Sequence, residues 1–346
     1  MLWLDKWRNE LGINCPYQDI NKSPIPASKF YLMQKPQFKN TDIKGIEKST
    51  SRLALGCDNQ TSSLHAFTMF DHFYGAGGRI FDTAYIYNNG KGDKYLGDWI
   101  NSRNLEKDVI VLGKGAHTPQ CEPKFIRPQI LESLERLNIQ SLDIFCLHRD
   151  NTEIPVSEFV DALDEIKKEG LINLIGASNW ELSRFSAARD YAQLNNKEPF
   201  TVLSNNFSLA EMIDPVWPGC VGINNDYISY LLDHEIILFP WSSQARGFFI
   251  KKKEIKSNEH FSNPSLEEEI RVWHNENNLK RRAKCFELAE QKNLQPIQIA
   301  LAYVLQKSPL IFPLIGPRTI FETNSSIDAT KINLTDQEMK DLSIDQ

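Results

Sequence analysis

The segments RIFD (79–82), VIVLGK (109–114), DIFCLH (143–148) and LIGASN (174–179) are short apolar runs that each end on a polar residue, namely Asp82, Lys114, His148 and Asn179. Those end points lie 32, 34 and 31 residues apart. One strand, one helix and two short loops occupy about that length, so each interval reads as a βα unit. Parallel strands that close into a barrel carry their chemistry at their carboxyl ends. The spacing therefore predicts an α/β fold, a (β/α)8 TIM barrel, with an Asp, a Lys, a His and an Asn around its mouth.

Outward from these four, the same rhythm gives eight strands, at 52–56, 79–82, 109–114, 142–148, 172–178, 200–205, 236–240 and 310–315. Helices are expected at 62–74, 94–102, 126–137, 156–169, 181–194, 227–234, 281–292, 296–306, 319–329 and 335–343. The run Ile130, Leu134, Leu137 gives the third of these an apolar face. Gly170 ends the fourth in the manner of a C′ glycine, and Pro296 suits a first helical turn. Thr335 followed by Glu338 is a capping box. Residues 206–226, with Pro215, Pro218, Gly219 and Gly222, read as a long loop. Residues 246–280, with lysines at 251–253 and glutamates at 267–269, read as a charged insertion, either solvated loop or exposed helix. Residues 1–48 fit no βα unit and are expected to be an irregular extension on a single barrel domain at 49–346.

A net charge of −6 argues against a phosphate-backbone partner. No apolar run approaches about 18 residues, so no membrane span is expected. The start, MLWLDKWRNELGIN, carries charge through its apolar stretch and has no signal-peptide core. Six cysteines lie scattered without a CxxC pair, which fits reduced thiols in a cytoplasm and no metal site. His65 and His72 lack a third ligand and read as surface or packing residues, and Cys146 as a core filler. The glycines at 75, 77 and 78 precede a strand and not a helix, so a dinucleotide fingerprint fails on context.

The densest chemistry is DTAYIY (82–87), an Asp at a strand end with a Tyr five residues on. Such a Tyr can return over the barrel mouth. A phenol has a pKa of about 10, poor for an acid at neutral pH. A neighbouring cation stabilises phenolate, so Lys114 is expected to lower that value while Asp82 holds Lys114 charged. His148 supplies a neutral hydrogen bond to a substrate oxygen. Together these four are a proton donor facing a carbonyl. Proton delivery to a carbonyl also needs a hydride, which a cofactor must bring.

With these residues in place, the chain from about Ser51 onward resembles the aldo-keto reductases, a (β/α)8 family of NAD(P)H-dependent carbonyl reductases. FDTAYIYNNGKGDKYLG (81–97) resembles the family's first signature, with Asp82 and Tyr87 at its catalytic Asp and Tyr. Lys114 and His148 match the Lys and His of its tetrad. The resemblance implies that Ser178 and Asn179 hold the nicotinamide carboxamide, and that Trp241 stands where a Tyr usually stacks on the ring. It further implies that Ser242, Ser243, Gln244, Arg246 and Gly247 wrap the pyrophosphate, and that Gly316, Arg318 and Thr319 reach the adenosine phosphate. Ser204 takes the place of the family's strand-six Gln. Glu322 stands where a basic residue or Gln is common, with Ser325 and Ser326 in place of a Glu-Asn pair. NADP(H) is the expected cofactor, with Arg318 as the phosphate grip, and NAD(H) the alternative. His117, Trp180 and Trp217 are the candidates for substrate contact.

The function implied is reduction of an aldehyde or ketone, sugar-like or otherwise polar, with Tyr87 as proton donor; the partner is a small molecule, with no nucleic acid or membrane. Three alternatives stand beside it. One is a cofactor-binding regulatory barrel with vestigial activity, another an alcohol or polyol dehydrogenase running the same chemistry backwards. The third is a different barrel enzyme using Lys114 as a Schiff base.

Overall fold

Every strand of the ring is short, and the inward side of each is what positions the site. The computed structural model describes Gln37, residues 40–250 and residues 264–344. A two-residue hairpin, β1 (Asn40–Thr41) against β2 (Thr50–Ser51), precedes the ring. The ring strands are β3 (Ala54–Gly56), β4 (Ile80–Asp82), β5 (Ile110–Gly115), β6 (Leu142–Leu147), β7 (Ile172–Ser178), β8 (Val202–Ser204), β9 (Ile237–Leu238) and β10 (Leu314–Ile315). They run parallel in the order β10-β3-β4-β5-β6-β7-β8-β9. Leu238 bridges to Ile311, and Leu314 N–H donates to the Pro240 carbonyl at 3.0 Å, so the two ends of the sheet meet. The (β/α)8 barrel predicted from the spacing is the fold observed.

The helices are α1 (Ser63–Gly75), α2 (Lys91–Arg103), α3 (Pro123–Leu137), α4 (Val156–Lys168), α5 (Leu182–Leu194), α6 (Asn225–Asp233), α7 (Pro264–Trp273), α8 (Glu276–Lys292), α9 (Pro296–Gln306), α10 (Ile320–Ala329) and α11 (Asp336–Ser343). Most follow the expected ranges, and the differences have local causes. α3 begins at Pro123, where proline's missing N–H costs nothing. α8 begins five residues early because the Asn275 side chain accepts from Asn278 N–H and caps it. β10 is two residues, not 310–315, since Pro313 has no N–H to give the ladder.

Two apolar layers follow from the two-residue period of the strands. Ala54, Ile80, Ile110, Ile144, Leu174, Val202 and Ile237 fill the barrel interior. The alternate residues, such as Leu55, Phe81, Val111 and Phe145, pack under the helices. Ile80 leads by twos to Asp82, Ile110 to Lys114, and Ile144 to His148, so the site side chains continue the inward-facing register. Gly176 breaks the row of side chains because a Cβ there would overlap the Val202 carbonyl of the neighbouring strand.

Where it is described, the extension at 1–48 packs on the barrel, and one expectation, at 246–280, is corrected. Within the described part of 1–48, residues 40–48 close the barrel floor. Ile43 joins the interior cluster, and Lys48 donates to Asp143 at 2.9 Å and to the Val109 carbonyl at 2.8 Å. Residues 1–36, 38 and 39 lie outside the described residues, as do the lysines at 251–253. Within 246–280, α7 is not a solvated element. Val272 and Trp273 are fully buried, and Arg271 ties α7 to the loop after β8 through Asp214 and the Pro215 and Val216 carbonyls. The glutamates mask the apolar face that a charge count alone hides.

Candidate active site

β4, β5 and β6 deliver Asp82, Lys114 and His148 side by side. The chain beyond Asp82 keeps pairing with β5, through Thr83 N–H to the Leu112 carbonyl and Tyr85 N–H to the Lys114 carbonyl, each at 2.8 Å. It then turns sharply at Asn88 and Asn89, both left-handed (φ 51 and 54), which Asn tolerates better than most residues. Tyr87 stands just before that turn, its N–H donating to the Ala84 carbonyl at 2.9 Å, with its side chain lining the mouth. Lys114 Nζ pairs with the Asp82 carboxylate and donates to the Tyr87 hydroxyl at 3.3 Å. His148 stands edge-on to Tyr87 with ring centroids 5.7 Å apart, and His117 stands edge-on to His148 at 4.9 Å. His148 Nδ1 is buried without a hydrogen-bond partner.

The charges settle into distinct states. Burial pushes the Asp82 carboxyl up to about 6 against the pull of Lys114, so it is ionised at neutral pH. Burial draws Lys114 down, but Asp82 and Tyr87 outweigh it and hold the ammonium above its ordinary value. His148 is held well below its ordinary value by burial, then by Lys114, Arg149 and His117. Its imidazole is neutral. Tyr87 departs from expectation: burial raises the phenol further than Lys114 lowers it, so it stays protonated across the ordinary pH range. Desolvation of phenolate at a mostly apolar barrel end is the stronger effect.

These side chains line one end of a cavity of about 1560 Å³ that runs past Trp241 to Gly316, Arg318 and Thr319. It is larger than the roughly 300–1,000 Å³ of a typical small-ligand pocket and suits an extended ligand. Ser178, Asn179, Ser242, Ser243, Gln244, Arg246 and Gly247 also face it. Asn179 donates to Ser178 Oγ at 2.9 Å and accepts from Val221 N–H at 3.2 Å, tying the loop after β8 to the barrel. The segment after β9 has left-handed backbone at Ser242, Ala245, Arg246 and Gly247, and Ser243 Oγ anchors it to the Leu314 carbonyl at 2.8 Å. Arg246 pairs with Glu268 at 2.6 Å and lies over Trp217. Trp241 Nε1 is buried with no partner.

Two of the expected site residues lie elsewhere. Ser204 is fully buried beside Ser178, where its carbonyl accepts from Ser178 Oγ at 2.6 Å and its hydroxyl donates to the Phe239 carbonyl at 2.9 Å. It supports Ser178 and does not face the cavity. Trp180 packs fully buried between Phe159 and Phe200, because it follows Asn179 out of the strand on the helix side. His117 and Trp217 do line the cavity. Glu322 closes a capping box at α10, its carboxylate accepting from Arg318 N–H at 2.6 Å and Thr319 N–H at 3.2 Å. The Arg318 side chain is exposed and has no ion pair among the described residues. Cavity residues not anticipated include Arg149, Asp58, Glu268 and Trp273. Arg149 had a signal, being a charge directly behind an apolar strand end; α7 had none beyond its glutamates.

The aldo/keto reductase family model matches residues 50–344. Similar proteins include norsolorinic acid reductase B of Aspergillus parasiticus, 25% identical over 79% of this chain and 72% of its own length. An aryl-alcohol dehydrogenase [NADP(+)] of Phanerodontia chrysosporium is 24% identical over 80% of this chain and 74% of its own. A glycerol dehydrogenase structure from Gluconobacter oxydans superposes with a TM-score of 0.66 at 20% identity, covering 88% of this chain and 93% of that one, a likeness of fold. The chain belongs to the aldo/keto reductase family, and carbonyl–alcohol oxidoreduction is the chemistry of its named relatives.

Proposed function

We propose that this member of the aldo/keto reductase family reduces an aldehyde or ketone to an alcohol using NADP(H). The observation that carries the reading is Lys114, paired with Asp82 and 3.3 Å from the Tyr87 hydroxyl, beside a neutral His148. A nicotinamide nucleotide, when bound, supplies the hydride to the carbonyl carbon. Tyr87 gives the carbonyl oxygen its proton. Lys114 stabilises the phenolate left behind, and Asp82 keeps Lys114 charged and fixed. His148 donates a hydrogen bond that orients the oxygen; a neutral imidazole holds its remaining proton too tightly to be the acid. Held protonated, Lys114 is no amine nucleophile, which counts against a Schiff-base reaction.

The residues fit such a cofactor. The cavity, of about 1560 Å³, is lined by Trp241, and the loops after β9 and β10 that also line it lie where barrels commonly hold phosphate groups. Arg318, exposed and without an ion pair among the described residues, supports NADP(H), as does the NADP(+)-named relative. Glu322 on the neighbouring amides is what favours NAD(H) as a second reading. Fluorescence titration decides the matter, with NADPH expected to bind at least about tenfold more tightly than NADH, a difference of about 1.4 kcal/mol. Turnover of a broad aldehyde panel should follow with the preferred nucleotide. Binding of neither nucleotide would end the proposal, and binding without turnover would favour a regulatory barrel.

The pH profile follows from the same charges. Below about 6, Asp82 takes a proton, Lys114 loses its counter-charge, and kcat/KM for reduction should fall. Neither His148, already neutral, nor Tyr87, held protonated, should add a limb between about pH 7 and 9. An inflection near 6.5 that vanishes in His148→Gln would contradict the assigned state of the imidazole.

A further inference from the structure

We propose that Arg149 is a specificity residue, and that the substrate is a carbonyl compound bearing a carboxylate. The proposal rests on the carbonyl-reductase reading above and names the substrate class of that same site. Arg149 follows His148 off the end of β6 and is 94% buried, with 6% of its surface exposed. It faces the cavity beside His117, His148, Gly219 and Cys220. One guanidinium nitrogen donates to the His148 carbonyl at 2.9 Å, and another contacts Cys220 Sγ at 3.5 Å. Neither acceptor carries charge, since burial raises the Cys220 thiol above its ordinary value. Asp150, next in the chain, is gripped by Arg184 through two bonds of 2.9 and 2.8 Å. Among the described residues no carboxylate pairs with Arg149.

Guanidiniums without a carboxylate elsewhere among the described residues are exposed, as Arg318 is, or, such as Arg52 on the Leu305, Ser308 and Ile311 carbonyls, are only partly buried and lie away from the cavity, and others have a carboxylate. Arg103 forks onto Asp71 at 2.7 and 2.8 Å, and Arg281 has Glu211 at 3.7 Å in addition to its neutral acceptors. A buried cation without a counterion is costly, and its partner is commonly the ligand it was built to hold. The cofactor's phosphates are poor candidates for that partner. β6 and β10 stand four places apart in a ring of eight, on opposite sides of the mouth. The loop after β10 is therefore across the mouth from Arg149, while the catalytic His148 is its neighbour in the chain and accepts its hydrogen bond. A single guanidinium fork matches the plane and single charge of a carboxylate. The other cation at this end, Lys114, is already consumed by Asp82, so a doubly charged phosphate is less well served.

The test compares matched aldehydes on wild type and on Arg149→Gln and Arg149→Lys variants. The pairs are 4-carboxybenzaldehyde with benzaldehyde, succinic semialdehyde with butanal, and glyceraldehyde 3-phosphate with glyceraldehyde. In wild type, kcat/KM should favour each carboxylated partner by about 30-fold or more, the scale of a hydrogen bond to a charged group. Arg149→Gln should bring that ratio close to one and Arg149→Lys should keep part of it, with NADPH titration confirming that each variant still binds nucleotide. A wild-type ratio near one, or a ratio unchanged in Arg149→Gln, would overturn the assignment. So would an Arg149-dependent preference confined to the phosphorylated aldehyde. Reduction of the neutral aldehydes without any charge preference defeats this inference alone, whereas no reduction of any member defeats the carbonyl-reductase reading.

Discussion

Tyr87→Phe is expected to lower kcat by about 100- to 10,000-fold, the range for removing a positioned acid, while the NADPH dissociation constant changes by less than about threefold. The separation follows from what the hydroxyl touches. It accepts from Lys114 Nζ at 3.3 Å, and Lys114 keeps its bond to Asp82 when that hydroxyl goes. No buried charge is orphaned, so the structural cost is about 1 kcal/mol, that of one hydrogen bond. The ring remains to pack edge-on against His148. Single-turnover mixing of the nucleotide-bound enzyme with aldehyde reads the chemical step directly. His148 cannot take over, because its neutral imidazole lacks an acidic proton to give. Near-normal single-turnover rates in the Phe variant would remove Tyr87 from the mechanism.

The same bonds explain why so much of this site is legible in the sequence. Asp82, Lys114 and His148 end apolar strands in the inward register, and a two-residue period carries that information in one chain. Tyr87 was legible for a different reason, its fixed distance behind Asp82. What escaped depends on depth and on partners far along the chain. Ser204 shares the inward register and pairs with Ser178, yet its hydroxyl is spent on the Phe239 carbonyl and it does not line the cavity, and strand parity says nothing about such partners. Trp180, an aromatic near a strand end, is a candidate for the mouth or for packing, and the structure has it leave on the helix side among Phe159 and Phe200. The protonation of Tyr87 was read in the wrong direction because the nearness of Lys114 is visible in spacing whereas desolvation is not. Arg149 is the opposite case. Its charge is in plain view, and only the lack of a carboxylate partner among the described residues, at a wall of the cavity, gives it a meaning.

Lys114→Met is expected to abolish turnover to about the same degree as Tyr87→Phe, and unlike that variant to destabilise the fold by about 3–5 kcal/mol at neutral pH. Asp82 is the reason. Its carboxyl sits at about 6 although Lys114 is drawing it down, so without the ammonium it moves higher still. A carboxyl whose folded value exceeds its unfolded one binds its proton more tightly in the native state. Its destabilising effect is absent below the unfolded value of about 4 and grows as pH rises toward the folded one. The Met variant should therefore be much closer to wild type near pH 5 than near pH 8, as read by urea denaturation at each pH. Adding Asp82→Asn, which mimics the protonated carboxyl, should recover most of the stability at pH 8 and flatten that dependence. It should recover none of the turnover, because the phenolate of Tyr87 still lacks its cation. A double variant as unstable at pH 8 as the single one would show that Lys114 supports the barrel by packing and not by charge. A double variant with restored turnover would show that the ammonium was never part of the proton transfer.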